Sequence, residues 1–446
     1  MKKTIIFDIG KTNKKYFVFD EDFKVLVHGG TVLLEGMDED DFACENLLEL
    51  KGWIFKVLHK LFDDGYQFDQ MNFSTYGASL VHVNKFGTTN LPLYNYLKPM
   101  PEDVMGDVYE YYTKEQLALE TSSPSLGMLN SGFQIQRLKE EQFDYFTEIV
   151  HSLHLPNYLA YLFHDIPVAD YTSIGCHTAL WNFEKGNYHE WTYAQGFSHL
   201  LKRPMPSTTT FPSLSGRMKV GIGIHDSSAA LVPYLVGEQE PFILISTGTW
   251  SITLNPFNKK LLTIKELEQD CLEFLTVNGD KVKAARLFLG HAFAKQIEIL
   301  NPRFGHSNGA YKKVVFDPSL YKMVKENNHK YFRLASLGEP ELRDRNLKEI
   351  KSFEWGFHQL VWELVQYQVK SVKLAIGQTK GIKTIYIDGG FSKNDVFCQM
   401  LKLELPDFVW KKTQLAAGSA LGAAIVVNMD AFTPNHFKEI LKVEMI

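Results

Sequence analysis

Apolar and polar positions come in blocks along this chain, and the blocks change period from strand-like to helix-like and back. Near the N-terminus three short β-rich runs, 4–8, 16–20 and 24–28, are separated by Gly10-Lys11-Thr12-Asn13 and by Glu21-Asp22. Strands joined by such short polar turns predict an antiparallel meander. Leu47, Leu50, Ile54, Leu58 and Leu61 then recur at three- and four-residue spacing, which predicts an amphipathic helix. Residues 71–76 and 80–84 read as strands around Gly77, and from about 115 to 163 the pattern turns helical, including 134–146 and 149–163.

The second half repeats the opening device. An apolar strand over 241–247, a Gly248-Thr249 turn and a strand over 250–255 match the arrangement of residues 4–20. Helices are expected over 284–300 and 357–376, the latter on Leu360, Val361, Leu364, Val365, Val369 and Val372. A strand over 384–388, a helix over 394–403, a short strand near 408–411 and an Ala/Gly-rich helix over 416–427 close the chain. Alternating strands and helices place the protein in the α/β class. The echo between halves suggests two related domains around one central cleft. A Pro/Ser/Thr-rich stretch at 203–215 and the segment 233–241 are both candidate boundaries, and the second gives domains of 1–235 and 236–446.

Composition narrows the partners. With 446 residues, 45% hydrophobic and 22% charged, the chain is long enough for two or three buried cores and is not a disordered sequence. Lys plus Arg number 47 against 52 Asp plus Glu, a net −5, and no long basic run breaks the balance. That argues against a nucleic-acid or membrane partner and leaves a small molecule bound at a local site. No apolar window has the length of a membrane span, and 4–8 is far shorter than a signal-peptide core, so a cytoplasmic protein is expected. Cys44, Cys176, Cys271 and Cys398 are too scattered for paired metal spacing and read as reduced, mostly buried thiols.

Four segments could carry chemistry. Asp8-Ile9-Gly10-Lys11-Thr12-Asn13-Lys14-Lys15 puts an acid at a strand end, able to hold Mg²⁺ through water, before a turn whose backbone and hydroxyl groups can face phosphate. Lys11 or Lys15 would add positive charge; the same residues also suit an ordinary hairpin. The echo Ser246-Thr247-Gly248-Thr249 raises the prospect of two hairpins gripping one polyphosphate. Asp388-Gly389-Gly390-Phe391-Ser392-Lys393-Asn394 ends a strand in paired glycines and opens a helix, which permits close approach of a ligand or simply caps the helix. Gly223-Ile224-His225-Asp226-Ser227 places an acid like an N-cap, where it is either a capping group or a base over the cleft. His177 beside Cys176 has no third metal ligand nearby in sequence, and Asp170 and His291 carry no specific signal.

Taken together and in this order, these segments resemble the FGGY family of carbohydrate kinases, over nearly the whole chain. Asp8 to Lys15 is similar to the family's first phosphate motif, Gly223 to Asp226 to the segment bearing its base, Ser246 to Ser251 to its second phosphate motif, and Asp388 to Asn394 to its nucleotide motif. Residues 416–424 are similar to its companion helix. Within the family the likeness is greatest to the rhamnulokinase and L-fuculose kinase subgroup, whose sugar-contacting segment Thr75-Tyr76-Gly77-Ala78-Ser79 resembles. Ser79 stands where that subgroup often has an acid, and Asn95-Tyr96-Leu97-Lys98 where it has an Arg-containing stretch.

The resemblance implies two actin-like, ribonuclease-H-like domains with ATP between them. It implies that Asp8, Gly10, Lys11, Thr12, Asn13, Lys15, Gly248 and Thr249 serve the phosphates and Gly389, Gly390 and Asn394 the adenosine. Gly77, Ser79, His225, Asp226 and Ser227 would face a small sugar, Asp226 would be the general base, and Asp8 with Asp226 would hold Mg²⁺. The acceptor implied is a ketose such as L-rhamnulose or L-fuculose. Xylulose, ribulose or glycerol, or a non-catalytic ATP-binding sugar sensor or scaffold, are the alternatives. Oligomeric state is not legible.

Overall fold

The computed structural model describes residues 2–338, 347–413 and 417–446. The expected N-terminal meander is present as β1 (Thr4–Ile9), β2 (Lys14–Phe19) and β3 (Val25–Thr31). Helix α1 (Leu47–Asp63) buries the five leucine and isoleucine positions named above, and Asn46 caps it by accepting from Glu49 N. The strand β4 (Gln70–Thr75) runs parallel to β1. Every residue of β4 is buried, although apolar Met71 and Phe73 alternate with polar Gln70, Asn72 and Ser74.

The next strand, β5 (Leu80–Asn84), leaves this sheet and pairs with β6 (Ile149–His154). Residues 149–154 were expected to begin a helix. Their apolar positions fit both periods, and the decision falls to β5, which offers a ladder; helix α2 (Leu155–His164) starts only beyond it, with Pro156 in its first turn. Strands β7 (Thr210–Pro212), β8 (Lys219–Gly221) and β9 (Ile224–His225) complete a sheet of order β7-β8-β4-β1-β2-β3, with β9 also on β4. Helix α3 (Asp226–Gly237) follows, so the segment 233–241 begins inside a helix.

The C-terminal half repeats the plan. Strands β10 (Phe242–Thr247), β11 (Ser251–Asn255), β12 (Cys271–Leu275) and β13 (Lys281–Leu287) precede helix α4 (Leu289–Arg303) and the long helix α5 (Phe353–Ile376). Residues 284–287 were expected to open a helix and are strand, because β13 is sandwiched between β11 and β12. Then come β14 (Thr384–Gly389), α6 (Asp395–Glu404), β15 (Val409–Lys412), α7 (Gly418–Val426) and β16 (Glu444–Met445). Residue 416, taken as the start of the last helix, lies outside the described residues.

The second sheet has the order β12-β13-β11-β10-β14-β15-β16, and β10 is parallel to β14 but antiparallel to β11, as β1 is to β4 and β2. The first half runs through a three-stranded meander, helix α1, the parallel strand β4, helix α2, further strands and helix α3; the second runs through four antiparallel strands, helices α4 and α5, the parallel strand β14, helix α6, strand β15 and helix α7. This is the two-fold actin-like α/β architecture expected from the sequence. Helices α3 and α7, the last of each repeat, pack on each other and share one apolar core with residues of both sheets, among them Phe17, Phe19, Phe242 and Leu244. Helices α1 and α2 cover the outer face of the first sheet; α4, α5 and α6 cover that of the second. Among the described residues no helix is long and apolar enough to cross a membrane. All four cysteines are free and buried.

A buried asparagine joins the first sheet to both the last helix and the loop before α3. Asn72 Nδ2 donates to Ala423 O at 3.0 Å, and Asn72 Oδ1 accepts from Gly223 N at 3.1 Å. Asn72→Ala would strand two buried backbone groups, and the expected loss of about 1–3 kcal/mol for each such group is checked by the urea midpoint at unchanged m-value.

Candidate active site

The β1–β2 turn is closed by Gly10 N donating to Asn13 O at 2.9 Å. Its shape is held from beneath by a residue that no motif singled out. The buried Lys14 ammonium donates to Gly10 O at 3.2 Å, Lys11 O at 2.9 Å and Glu45 Oε2 at 2.8 Å, while the Tyr76 hydroxyl donates to the same carboxylate at 3.3 Å. Lys11 itself pairs with Glu35 at 2.9 Å at the partly open edge of the turn. Thr12 and Asn13 are exposed. Lys15 stands across the ladder from Asp8, and its charge lowers the Asp8 pKa.

The second hairpin closes through Gly248 N donating to Trp250 O at 2.7 Å. It meets the start of α4 so closely that a Cβ on Gly290 would sit 2.0 Å from Gly248 O. The third motif lies beside it. Gly389 has φ +85°, and a Cβ there would be 1.9 Å from Thr247 O, so only glycine fits. Thr247 Oγ1 accepts from Phe391 N at 3.0 Å, and Asn394 caps α6 by accepting from Phe397 N at 3.1 Å. Around these backbones opens a cavity of about 680 Å³ lined by Gly248, Thr249, His291, Lys312, Gly390 and Asn394. Gly389 lies behind this wall. Lys312 comes from a short 3-10 turn without any motif, which is why the sequence did not reveal it.

Asp226 is the first residue of α3; His225 occupies the cap position, so the acid sits in the first turn rather than at the cap. Asp226 Oδ1 accepts from Ser227 N at 2.6 Å and Ser227 Oγ at 3.2 Å. Its side chain keeps 34% of its surface, yet protein encloses it on most sides, and this burial lifts its pKa to about 6. Asp8 is also lifted to about 6, first by burial and then by the charge of Asp226, while Ser419 Oγ donates to its Oδ1 at 2.9 Å and opposes the shift. Asp226 is thus near enough for its charge to act on Asp8. Two hard oxygen donors, one raised further by the charge of the other, are of the chemical type that suits Mg²⁺.

His225 is buried and pushed down to about 4, so it is neutral at pH 7. Its Nε2 lies 3.3 Å from Asp226 Oδ1 and its Nδ1 3.4 Å from Ser228 Oγ. The tautomer that satisfies both carries the proton on Nε2. The backbone of His225 donates to Thr172 Oγ1 at 3.0 Å, and that hydroxyl donates in turn to Asp170. Asp170 also accepts from Thr172 N at 2.9 Å, Ser207 Oγ at 3.0 Å and Asn157 Nδ2 at 3.1 Å. This buried acid, featureless in sequence, anchors the strand that delivers Asp226.

Gly77 abuts the imidazole, since a Cβ there would come 3.0 Å from His225 Nε2. Tyr96, from the segment that departs from the subgroup pattern, is close enough that the Asp226 charge adds to burial in raising its phenol pKa, and its ring lies 6.1 Å from that of Tyr76. Ser79 is only 2% exposed, beside the Tyr76 phenol. His177 is buried and its Nδ1 lies 3.3 Å from Leu129 O. Among the described residues the one acidic and histidine cluster compact enough for a metal is Glu120, His189 and Glu190. Its imidazole is already engaged, Nε2 with Glu120 at 2.8 Å and Nδ1 as acceptor from Trp191 N at 3.2 Å.

Among the solved structures that superpose on this chain are several carbohydrate kinases. No family model matches the chain. A rhamnulokinase from Oceanobacillus iheyensis is 22% identical over 391 residues, covering 82% of this chain and 80% of the relative. A carbohydrate kinase from Novosphingobium aromaticivorans superposes with a TM-score of 0.80 at 21% identity, over 99% of this chain and 96% of its own. A xylulose kinase from Lactobacillus acidophilus gives 0.79 at 12% identity, over 100% and 93%. The resemblance to the FGGY carbohydrate kinases is thus borne out in fold and in distant sequence similarity to a rhamnulokinase.

Lys14 and Glu45 expose 3% and 5% of their side chains. Lys14→Met leaves a buried carboxylate without its cation and should cost about 3–5 kcal/mol, read as a lowered denaturant midpoint.

Proposed function

We propose that the protein is an ATP-dependent carbohydrate kinase that transfers the γ-phosphoryl group to a hydroxyl of a small sugar. The observation that carries this reading is Asp226, an acid raised to about 6 in the first turn of α3, whose charge also acts on a second carboxylate, Asp8. A base poised just below neutral pH is ionised when needed and basic enough to take a hydroxyl proton. In the step proposed, Asp226 accepts the proton of the attacking sugar hydroxyl, an O–P bond forms at the γ-phosphorus, and the bond to the departing ADP oxygen breaks in line. The neutral Nε2–H of His225 orients the carboxylate.

The cavity floored by Gly248, Thr249, Gly390 and Asn394 supports a nucleotide site, with adenosine against the last two and phosphates toward the hairpins of both halves. Asp8 and Asp226 are the residues to hold Mg²⁺, which would offset phosphate charge when bound. Lys15 adds a cation beside Asp8, whereas Lys11, occupied by Glu35, contributes its backbone. Gly77, His225, Ser227 and Tyr96 form the sugar wall; Ser79 acts from behind Tyr76. The domains proposed are 1–235 and 236–446, meeting in the last turn of α3, and the enzyme is proposed to be cytoplasmic. A ketose such as L-rhamnulose or L-fuculose is the proposed acceptor, on the likeness to the rhamnulokinase.

ADP release measured over a panel of ketoses, aldoses, polyols and sugar acids tests this reading, and sugar-dependent release is expected with a 6-deoxyketose. ATP binding with no release for any sugar would favour a sensor or scaffold instead. Asp226→Asn should keep the fold and lower turnover by roughly 10²–10⁴-fold; near-normal turnover would remove Asp226 as the base.

The acid limb of the kcat/KM profile should break near pH 6, falling about tenfold per unit below it. Stability carries the opposite sign. Carboxyls raised in the folded state contribute stability below their unfolded value of 3.8 and lose it as pH rises through about 6. Relative to the wild type, Asp8→Asn should therefore gain thermal midpoint between pH 4 and 7.

A further inference from the structure

Helix α3 carries Asp226 in its first turn and Pro233 within its body. Proline has no N–H, so it cannot bond the carbonyl four residues back, that of Ala229, and its ring displaces that carbonyl outward. Gly422 of α7 lies against the displaced oxygen. A Cβ built on Gly422 would sit 1.8 Å from Ala229 O, 2.5 Å from its carbonyl carbon and 3.0 Å from its Cα. A Cβ takes the direction of one glycine Cα hydrogen, so that hydrogen points at the Ala229 oxygen in the manner of a weak Cα–H···O bond. Both residues are buried.

The same helix reaches the other carboxylate. Ser419, three residues before Gly422, donates to Asp8 Oδ1 at 2.9 Å. Residues three apart share a helix face. One face of α7 thus bears on the strand that carries Asp8 and on the helix that carries Asp226, and α7 itself is the last helix of the half that holds the nucleotide cavity.

We propose that Pro233 and Gly422 are positioning residues for the reaction: the carbonyl that Pro233 turns outward is seated on Gly422, and this seat sets where Asp226 stands relative to Asp8 and the bound nucleotide. The inference rests on the kinase reading above. It also reverses an ordinary expectation, since Gly→Ala inside a helix normally raises stability.

The test is a double-mutant cycle on the full chain with Gly422→Ala, Pro233→Ala and the pair, beside Ala423→Gly as a control that weakens the same helix without touching Ala229 O. Gly422→Ala should lower the thermal midpoint and reduce kcat by about 10–100-fold, the scale of a misplaced catalytic group, with KM for ATP within about twofold. Pro233→Ala lets the Ala229 carbonyl bond within its own helix and withdraw from the seat. Alone it should cost several-fold in kcat; in the Gly422→Ala background it should restore part of both kcat and midpoint, so the two changes are not additive.

Ala423→Gly should lose midpoint but little kcat. Additive effects, near-normal kcat in folded Gly422→Ala, or an equal kcat loss in the control would overturn the proposal. If Gly422→Ala does not fold, Pro233→Ala decides, and unchanged kcat there overturns it. If the wild-type chain phosphorylates no sugar, the kinase reading has failed, and the midpoints alone then judge the seat: coupled values support it, additive values overturn it.

Discussion

Two enclosed carboxylates, one of which feels the charge of the other, are the constraint around which this molecule is arranged. Asp8 and Asp226 are each lifted to about 6, chiefly by burial. Among the described residues neither makes an ion pair with a lysine or arginine, and such groups persist only if rigid elements hold them in place. The supports are modest and specific: a serine hydroxyl from α7 on one acid, a serine N–H and hydroxyl on the other, and a lysine charge beside the first. In the proposed reaction a cation or a departing substrate proton would relieve what remains of the burial penalty.

The duplicated architecture explains how the two halves divide the work. Each repeat ends its first strand at a polar hairpin and its last at a helix, so hairpins and helix ends gather on the same side of both sheets. The first repeat invests these positions in acids, Asp8 at the hairpin and Asp226 at the helix. The second invests them in glycines, with Gly248 at the hairpin, Gly389 and Gly390 at the strand end and Gly418 at the start of α7. On the proposed reading, one half would activate a hydroxyl while the other would let a large anion lie against bare backbone. The mild net charge of −5 is no obstacle, since backbone N–H groups and a few lysines act locally.

Much of this was legible beforehand where local pattern and tertiary role agree. Strands β1 and β2, the stripe of α1 and the long helix α5 all bury the apolar positions their periods assign. Legibility failed where a segment could serve two periods. Residues 149–154 and 284–287 are apolar enough for either structure, and neighbouring strands distant in sequence decided both. It failed again where function rests on a side chain of unremarkable type. Lys14 is one of five lysines in the first fifteen residues, and Asp170 and Lys312 sit in no motif, yet they brace the first hairpin, anchor His225 and line the cavity of the second half.

By itself the sequence determined the class of fold, the duplication and the identity of the motifs, because strand and helix periods, glycine turns and their order are written locally. Only the tertiary structure decided which of those motifs meet. The charge of Asp226 acting on Asp8, the Ser419 hydroxyl on Asp8 and the fit of Gly422 against Ala229 join residues up to 411 positions apart. Burial, Coulomb energy and steric exclusion depend on distance in space, and no spacing along the chain encodes that distance.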